Sequence, residues 1–300
     1  MNTIELLDVS LRDGGHRTNF HFKKNELQAI LTSLDNSGIE YIEIGYRNGS
    51  IAPIENIGQA GLCGKDYLLF CTSLLKKAKT AVMAHPKNVT ADDIKELRDY
   101  GVQLLRICVV KGDVEEACPI IDMGKQYGLA TSVNFIHTSH YKENELDEVV
   151  ARVNPHKPDM IYFADSNGSL LPARVDQIYR KYSREYSIPL GFHAHDNLGL
   201  AQVNTLAAIN AGAHYIDASL AGMGKGIGNL RTEFFTAYLH AINIKKYRLA
   251  PVLMAANYVR KVLGIGSEEI EMDEFIRGIS DFSTAEMKKF KETTDTLNLL

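Results

Sequence analysis

Two histidines stand two residues apart in the segment GFHAHDNLGL, residues 191–200. The residues before them are apolar and the residues after them have helical spacing, so His193 and His195 lie at the end of a predicted strand. Residues i and i+2 of a strand point to the same face, and both imidazoles therefore point the same way. Such a pair forms half of a site for a divalent metal ion.

A second polar segment, DVSLRDGGH at residues 8–16, follows the first apolar run of the chain. Asp13 offers the carboxylate that would complete a His, His, Asp metal set, which leaves positions open for substrate oxygen and water. Arg12 could stabilise a developing enolate or carboxylate, or it could pair with a neighbouring acid. His16 follows two glycines, on a loop that could bring its imidazole over the metal as a general base or leave it at the surface.

The elements that must position these residues alternate along the chain. Short β-branched or apolar runs are followed by longer amphipathic runs, and eight such units are present before about residue 245. Units of roughly thirty residues predict a closed (β/α)8 barrel over residues 1–245. An open doubly wound sheet is the alternative, but it would place a G-x-G-x-x-G turn where this chain has LRDGGHRTNFH. Residues 246–300 have helical patterns without a strand, which predicts a C-terminal helical extension.

In a closed barrel the polar residues at the predicted strand ends would lie together at one end of the barrel. Active sites of this fold lie at that end, where the strands have their carboxyl ends. Strand one lies beside strand eight and close to strand seven, so Asp13 can reach the histidine pair. The glycine-rich loop AGMGKGIGN after strand eight could bring Asn229 to the metal, or it could form a phosphate cradle. The other polar residues at predicted strand ends are Arg12, His16, Glu43, Tyr46, Asp165 and Ser166, of which the last four are candidate substrate contacts.

Composition excludes several other classes of protein. The chain has 300 residues, of which 45% are hydrophobic and 23% charged, with a net charge of -4. No basic block supports nucleic-acid binding, and no apolar run approaches the ~20 residues that span a bilayer. The chain enters a strand pattern at once, without a signal peptide, and its four cysteines form no C-x-x-C pair. We therefore expect a cytoplasmic protein with reduced thiols.

The combination of these motifs resembles the DRE-TIM metallolyase family. DVSLRDGGH is similar to the family signature D-x-[ST]-L-R-D-G, and FADSNGSLLP is similar to its sixth-strand segment. The segment from HAHDNLGLAQVN to GMGKGIGN is similar to its H-x-H segment and glycine-rich loop. The resemblance covers the predicted barrel from residue 4 to about residue 240.

The resemblance implies a divalent metal ion, Mn²⁺ or Mg²⁺ rather than Zn²⁺ or Co²⁺. It implies Asp13, His193 and His195 as metal ligands, with Asn229 as a ligand or near-ligand. It also implies that Arg12 is the arginine that stabilises an enolate.

One residue favours a branch of the family. The Claisen-type synthases usually have R-D-G-x-Q, whereas this chain has RDGGH, which favours the branch of the 4-hydroxy-2-oxovalerate aldolases. We therefore predict reversible cleavage of a 4-hydroxy-2-oxo acid to pyruvate and an aldehyde, with His16 removing the hydroxyl proton. The alternatives are an acyl-CoA-dependent Claisen condensation, as in isopropylmalate or homocitrate synthase, a 3-hydroxy-3-methylglutaryl-CoA lyase-like reaction, and a non-catalytic scaffold. We expect a homo-oligomer, and the short tail leaves a partner dehydrogenase in doubt.

Overall fold

Eight parallel strands close into a barrel, as the alternation of the sequence predicts. The structure, a computed structural model, describes residues 4–267 and 272–293. Each strand pairs with the next along the chain, and the first pairs with the eighth, so Leu7 lies opposite Asp217. The strands are β1 Glu5–Asp8, β2 Tyr41–Arg47, β3 Lys79–Ala84, β4 Leu104–Val109, β5 Ala130–Phe135, β6 Met160–Asp165, β7 Leu190–Ala194 and β8 Ala213–Ala218.

A helix follows each strand and covers the outside of the barrel. The first helix buries Leu27, Ile30 and Leu34 at helical spacing and ends at Gly38, whose φ of 89° suits glycine. Among the described residues, no helix is both long and apolar enough to cross a membrane. These helices are α1 Lys24–Ser37, α2 Lys65–Leu74, α3 Ala91–Asp99, α4 Val114–Gln126, α5 Glu143–Val153, α6 Pro172–Glu185, α7 Ala201–Asn210 and α8 Thr232–Ala241.

A small apolar cluster fills the amino half of the barrel interior. Its members alternate along their strands, as side chains that point into a barrel must. The guanidinium of Arg106 lies over the ring of Tyr162, 4.4 Å from its centre, and marks where the polar half of the interior begins. The cluster consists of Leu7, Val9, Tyr41, Ala81, Leu104, Met160 and Tyr162.

The predicted C-terminal extension is helical. It contains α9 Leu249–Tyr258, which packs against α1 and α8 and continues as a π-helical turn over Val259–Leu263. Two more helices follow, α10 Met272–Ser280 and α11 Thr284–Thr293. Residues 268–271 and 294–300 of the predicted extension lie outside the described residues, and the predicted boundary at residue 245 stays a prediction.

The turn between α10 and α11 lies over the carboxyl end of the barrel. The carboxylate of Asp281 accepts hydrogen bonds from Ser139 Oγ at 2.7 Å, from Asn167 Nδ2 at 2.8 Å and from Ser169 Oγ. The Asp281 carbonyl oxygen lies 2.8 Å from His140 Nε2. The extension therefore forms part of the wall around the strand ends.

Candidate metal centre and active site

The structure brings together the three residues predicted to bind metal. Asp13 follows β1, His193 lies in β7 and His195 follows its last residue. One ligand atom from each of the three buried side chains lies within 4.8 Å of the others. The two Nε2 atoms are 3.3 Å apart, and His195 Nε2 is 3.8 Å from Asp13 Oδ2. The closed barrel therefore gathers the predicted ligand set at one point.

The hydrogen bonds of the two imidazoles show that this set fits a cation. His193 Nδ1 lies 3.0 Å from the Asp217 carboxylate, and His195 Nδ1 lies 3.1 Å from the Lys225 carbonyl oxygen. Both oxygens are acceptors, so each Nδ1 carries the proton and each Nε2 presents a lone pair. Two lone pairs at this separation need a proton or a cation between them. Burial lowers the pKa of His195 to about 3, so a proton is not held there at neutral pH.

Asn229 lies directly beside the triad. Its Nδ2 donates to Asp13 Oδ2 at 2.8 Å, while its Oδ1 is buried and has no hydrogen-bond partner in the described part of the chain. A Cβ at Gly224 would lie 2.6 Å from Asn229 Nδ2, so the glycine-rich loop needs a residue without a side chain at this position. The loop thus holds Asn229 against Asp13, a candidate metal ligand, and the Asn229 oxygen that has no partner could face a cation.

Arg12 is fixed between two carboxylates. Its Nε donates to Glu43 at 2.7 Å and its Nη1 donates to Asp13 at 2.7 Å, whereas Nη2 has no hydrogen bond among the described residues. Burial alone would raise the pKa of Asp13, but the charge of Arg12 and the nearby histidines hold it well below its ordinary value. Asp13 is therefore ionised, and Arg12 keeps one nitrogen for a ligand.

Glu43 and Tyr46 both approach Arg12 because β2 is irregular. They are three residues apart, and a regular strand would put them on opposite faces. The register shifts between them, and Gly45 has a φ of 157°, where a Cβ would lie 1.8 Å from the Ala60 carbonyl oxygen. Tyr46 lines the cavity, with its hydroxyl 3.5 Å from Arg12 Nη1.

Glu43, a predicted substrate contact, lies behind Arg12 in the structure. Glu43 is fully buried, and its Oε2 accepts from Arg12 Nε and, at 3.0 Å, from Arg106 Nη1. It does not line the cavity. The Glu43 carboxylate forms charge-assisted hydrogen bonds with two guanidinium groups, and it therefore holds Arg12 in position.

Arg106 and Asp217 also line the cavity, and the sequence motifs do not reveal them. Arg106 Nη2 donates to Asp217 Oδ2 at 2.7 Å, and the same oxygen receives the His193 imidazole. With Glu43 as the other link, a continuous chain of charged contacts connects Arg12 to His193. The available signal was a charged residue at an inward position within an apolar strand, in LLRICV and in AHYIDA.

His16 lies at the cavity edge, as predicted for a general base. Its ring makes edge contacts with Phe20 at 5.0 Å and with Tyr46 at 6.3 Å between ring centres. Burial against these rings lowers the pKa of His16 to about 4, because a cation is poorly solvated there. The imidazole is therefore neutral at pH 7 and able to accept a proton.

The two predicted contacts after β6 have different positions. Ser166 lines the cavity, and its Oγ accepts the His137 N–H at 2.9 Å. Asp165 does not line the cavity, because its carboxylate accepts the N–H groups of Ser169 and Leu170 and holds the loop that follows the strand. The Asp165 carboxylate thus stabilises this loop, and its predicted contact with substrate stays a prediction. Burial raises its pKa to about 7.

All of these groups surround one cavity of about 500 Å³ at the carboxyl end of the barrel. The lining includes the triad and Arg12 as well as apolar side chains such as Ile51, Ile54 and Ile136. Ser283, Thr284 and Ala285 of the extension complete the wall. The cavity thus combines a charged reaction centre with an apolar surface and a cover from the extension.

Comparison with known proteins agrees with this architecture. A candidate aldolase from Bacteroides vulgatus has an N-terminal domain that superposes with a TM-score of 0.83 at 25% identity, covering 97% of both chains. The carboxyl transferase domain of Rhizobium etli pyruvate carboxylase superposes with a TM-score of 0.76 at 14% identity, covering 92% of this chain and 51% of that chain. The second match shows a common fold.

Sequence relatives match most of the chain. A 4-hydroxy-2-oxovalerate aldolase from Carboxydothermus hydrogenoformans is 34% identical over 237 residues, which cover 79% of this chain and 70% of that protein. One from Geobacillus thermodenitrificans is 31% identical over 280 residues, which cover 92% and 81%. A model of the HMGL-like family matches residues 3–259. The family resemblance of the sequence motifs is thus confirmed, and the protein belongs to the HMGL-like family.

Proposed function

We propose that this protein is a divalent-metal-dependent aldolase that cleaves a 4-hydroxy-2-oxo acid, such as 4-hydroxy-2-oxovalerate, to pyruvate and an aldehyde. The observation that carries the proposal is that Arg12, His16 and the Asp13–His193–His195 triad surround one cavity. Relatives named 4-hydroxy-2-oxovalerate aldolase support it. A homo-oligomer in the cytoplasm is part of the same proposal.

The triad would hold Mn²⁺ or Mg²⁺, with Asn229 beside it. Such an ion, when bound, supplies Lewis-acid polarisation of the 2-oxo group. Asp217 fixes the proton of His193 on Nδ1, and the Lys225 carbonyl does the same for His195, so both Nε2 atoms keep their lone pairs.

The chain's own residues then account for bond cleavage. The neutral His16 accepts the proton of the 4-hydroxyl group, and the electrons of that O–H bond form the aldehyde carbonyl. The C3–C4 bond breaks, and its electron pair becomes the enolate of pyruvate. Arg12 donates from Nη2 to the enolate, while Glu43 and Asp13 keep the guanidinium in place. Protonation at C3 completes pyruvate.

Proton exchange tests this proposal without knowledge of the aldehyde. Pyruvate is incubated with the protein and Mg²⁺ in deuterated buffer, and loss of the methyl signal is followed by proton NMR. We expect exchange that a chelator abolishes. If no exchange occurs, and free thiol instead appears with acetyl-CoA and a 2-oxo acid, the aldolase proposal is wrong and the Claisen alternative replaces it.

The pH profile tests His16. An imidazole in water ionises near neutral pH, whereas burial lowers the pKa of His16 to about 4. Since the neutral form is the base, cleavage should not decline through His16 protonation until the pH falls towards 4. The expected loss in His16→Ala is about 100-fold or more in cleavage rate across pH 6 to 8, the usual contribution of a general base. Metal affinity should be retained.

His21→Ala is the matched control for His16→Ala. His21 lies on the same loop, is exposed and contacts the Asn56 carbonyl oxygen. If the cleavage rate of the wild type changes with pH around pH 6.5, and this change disappears in His16→Ala, the lowered pKa of His16 is contradicted. If the cleavage rate changes around pH 7 in both the wild type and His16→Ala, another group is responsible. Buried Asp165, whose pKa is raised to about 7, is a candidate.

A further inference from the structure

Lys225 is a cavity residue that the mechanism above does not use through its side chain. It lies in the glycine-rich loop, and its backbone is fixed beside the triad. The Lys225 N–H donates to Asp13 Oδ2 at 3.4 Å, and its carbonyl oxygen accepts from His195 Nδ1 at 3.1 Å. The backbone is therefore committed to the metal ligands, and the four-carbon side chain extends from a defined point.

The ammonium of Lys225 has no counterion within the described part of the chain. Two acids act on the charge of Lys225, and both already have a partner. Asp13 is bound by Arg12, and Glu274 pairs with Arg277 at 2.7 Å. Burial lowers the pKa of Lys225, as expected for a cation without a partner. Keeping an unpaired cation largely out of water is costly, so an anion brought by the ligand would offset that cost.

Lys225 lines the same cavity as His16, His137 and His195, which follow three different strands. The side chain therefore lies over the cavity rather than against the outer surface of the barrel.

The extension offers a second feature that favours an anion in the same cavity. Thr284 and Ala285 begin the ten-residue helix α11 and line the cavity, and no acceptor for their N–H groups is found among the described residues. The amino end of a helix attracts negative charge. The nearby Glu286 carboxylate is already occupied, because it accepts the Ser283 N–H at 2.7 Å.

We propose that Lys225 binds an anionic group, a carboxylate or phosphate, on the aldehyde part of the substrate. The preferred aldehyde would then be anionic rather than a simple alkyl aldehyde. The pyruvate part belongs at the triad and Arg12, whereas Lys225 and the start of α11 are lining groups of the same cavity that the pyruvate part leaves unused. This inference rests on the proposed aldolase function and adds the class of substrate to it.

The test compares matched aldehydes in the aldol addition to pyruvate with Mg²⁺. One pair is 4-oxobutanoate against pentanal, and the other is glycolaldehyde phosphate against glycolaldehyde. The wild type should prefer the anionic member of at least one pair by about 10-fold or more in kcat/KM, the scale of a charge-assisted hydrogen bond. The pair that shows the preference identifies carboxylate or phosphate. In Lys225→Met the preference should fall towards unity, and Lys225→Arg should restore part of it.

Lys125→Met is the matched control, because Lys125 is exposed at the end of α4 and donates to the Lys157 carbonyl oxygen. Pyruvate methyl exchange, measured in parallel, separates the two proposals. If exchange is absent in the wild type, the aldolase function fails. If exchange occurs but no anionic preference exists, or if Lys225→Met leaves the preference unchanged, only the Lys225 inference fails.

Two further results would overturn the inference. A rise in KM for pyruvate in Lys225→Met, with equal losses for both aldehydes of a pair, would place Lys225 on the pyruvate carboxylate. A covalent adduct of pyruvate on Lys225 after borohydride reduction would make it a Schiff-base lysine. Measurable exchange by Lys225→Met shows that the variant has folded, and Lys225→Gln replaces it if it has not.

Discussion

His195→Ala is expected to weaken binding of Mn²⁺ or Mg²⁺ by more than 10-fold and to abolish metal-dependent pyruvate exchange. Loss of a residue that merely supports a metal ligand already costs about 10- to 100-fold in affinity, and His195 is a ligand itself. Removing it leaves Asp13 and His193, and it also removes the lone pair that faces His193 Nε2 across 3.3 Å. Affinity and stoichiometry are measured by titration calorimetry.

Thermal unfolding gives a second measurement of the same effect. A metal ion that binds only the native state raises the melting temperature, so Mn²⁺ should stabilise the wild type and not His195→Ala. His156→Ala is the matched control, because His156 lies at the amino end of the barrel and contacts Asp122 at 3.0 Å. Metal binding by His195→Ala with unchanged affinity would remove the basis for the metal centre.

Arg12→Lys is expected to lower turnover by about 100-fold or more while the protein keeps its fold. This is the scale on which removal of a hydrogen-bond donor to an oxyanion acts. The guanidinium uses Nε for Glu43 and Nη1 for Asp13, and both bonds hold Nη2 in place for the enolate. A lysine ammonium retains the charge but lacks the planar fork, so it cannot meet both acids and the enolate together.

Steady-state kinetics and circular dichroism test the Arg12 prediction. Arg98→Lys is the control, since Arg98 is an exposed arginine of α3 that lies 3.7 Å from Asp99. Folding of Arg12→Lys is required for the comparison, and Arg12→Gln provides a second variant of similar size without the charge. Near-normal turnover in a folded Arg12→Lys would show that Arg12 does not stabilise the enolate.

Both predictions concern polar residues, His195 and Arg12, that follow apolar strand segments and can therefore be recognised in the sequence. His193 and His195 share a face because side chains alternate along a strand, a property of the local backbone. The fold could be predicted for a similar reason. Eight apolar strand segments alternate with eight segments of helical spacing, and this alternation determines the order of strands and helices. Asp13 then approaches the histidines because β1 pairs with β8 when the barrel closes.

The surroundings of other residues could not be predicted, because they depend on neighbours far along the chain. Glu43 lies within β2 and Asp165 ends β6, and their carboxylates accept hydrogen bonds from Arg106 and from the loop after β6. Arg106 and Asp217 each interrupt an apolar strand, and only closure of the barrel shows that they form one ionic chain. The irregularity of β2 that brings Tyr46 beside Arg12 has no signature apart from a glycine.

Local patterns in the chain are sufficient to predict the barrel and to single out Asp13, His193 and His195 as candidate ligands, because periodicity and motif spacing are properties of short segments. The ionisation of His16, the commitments of the buried acids and the position of Lys225 depend instead on how the chain packs. The pKa of His16, for example, depends on how fully Phe20 and Tyr46 exclude water from its ring. Burial and charge pairing are sums over contacts between distant segments, and no local pattern encodes such sums.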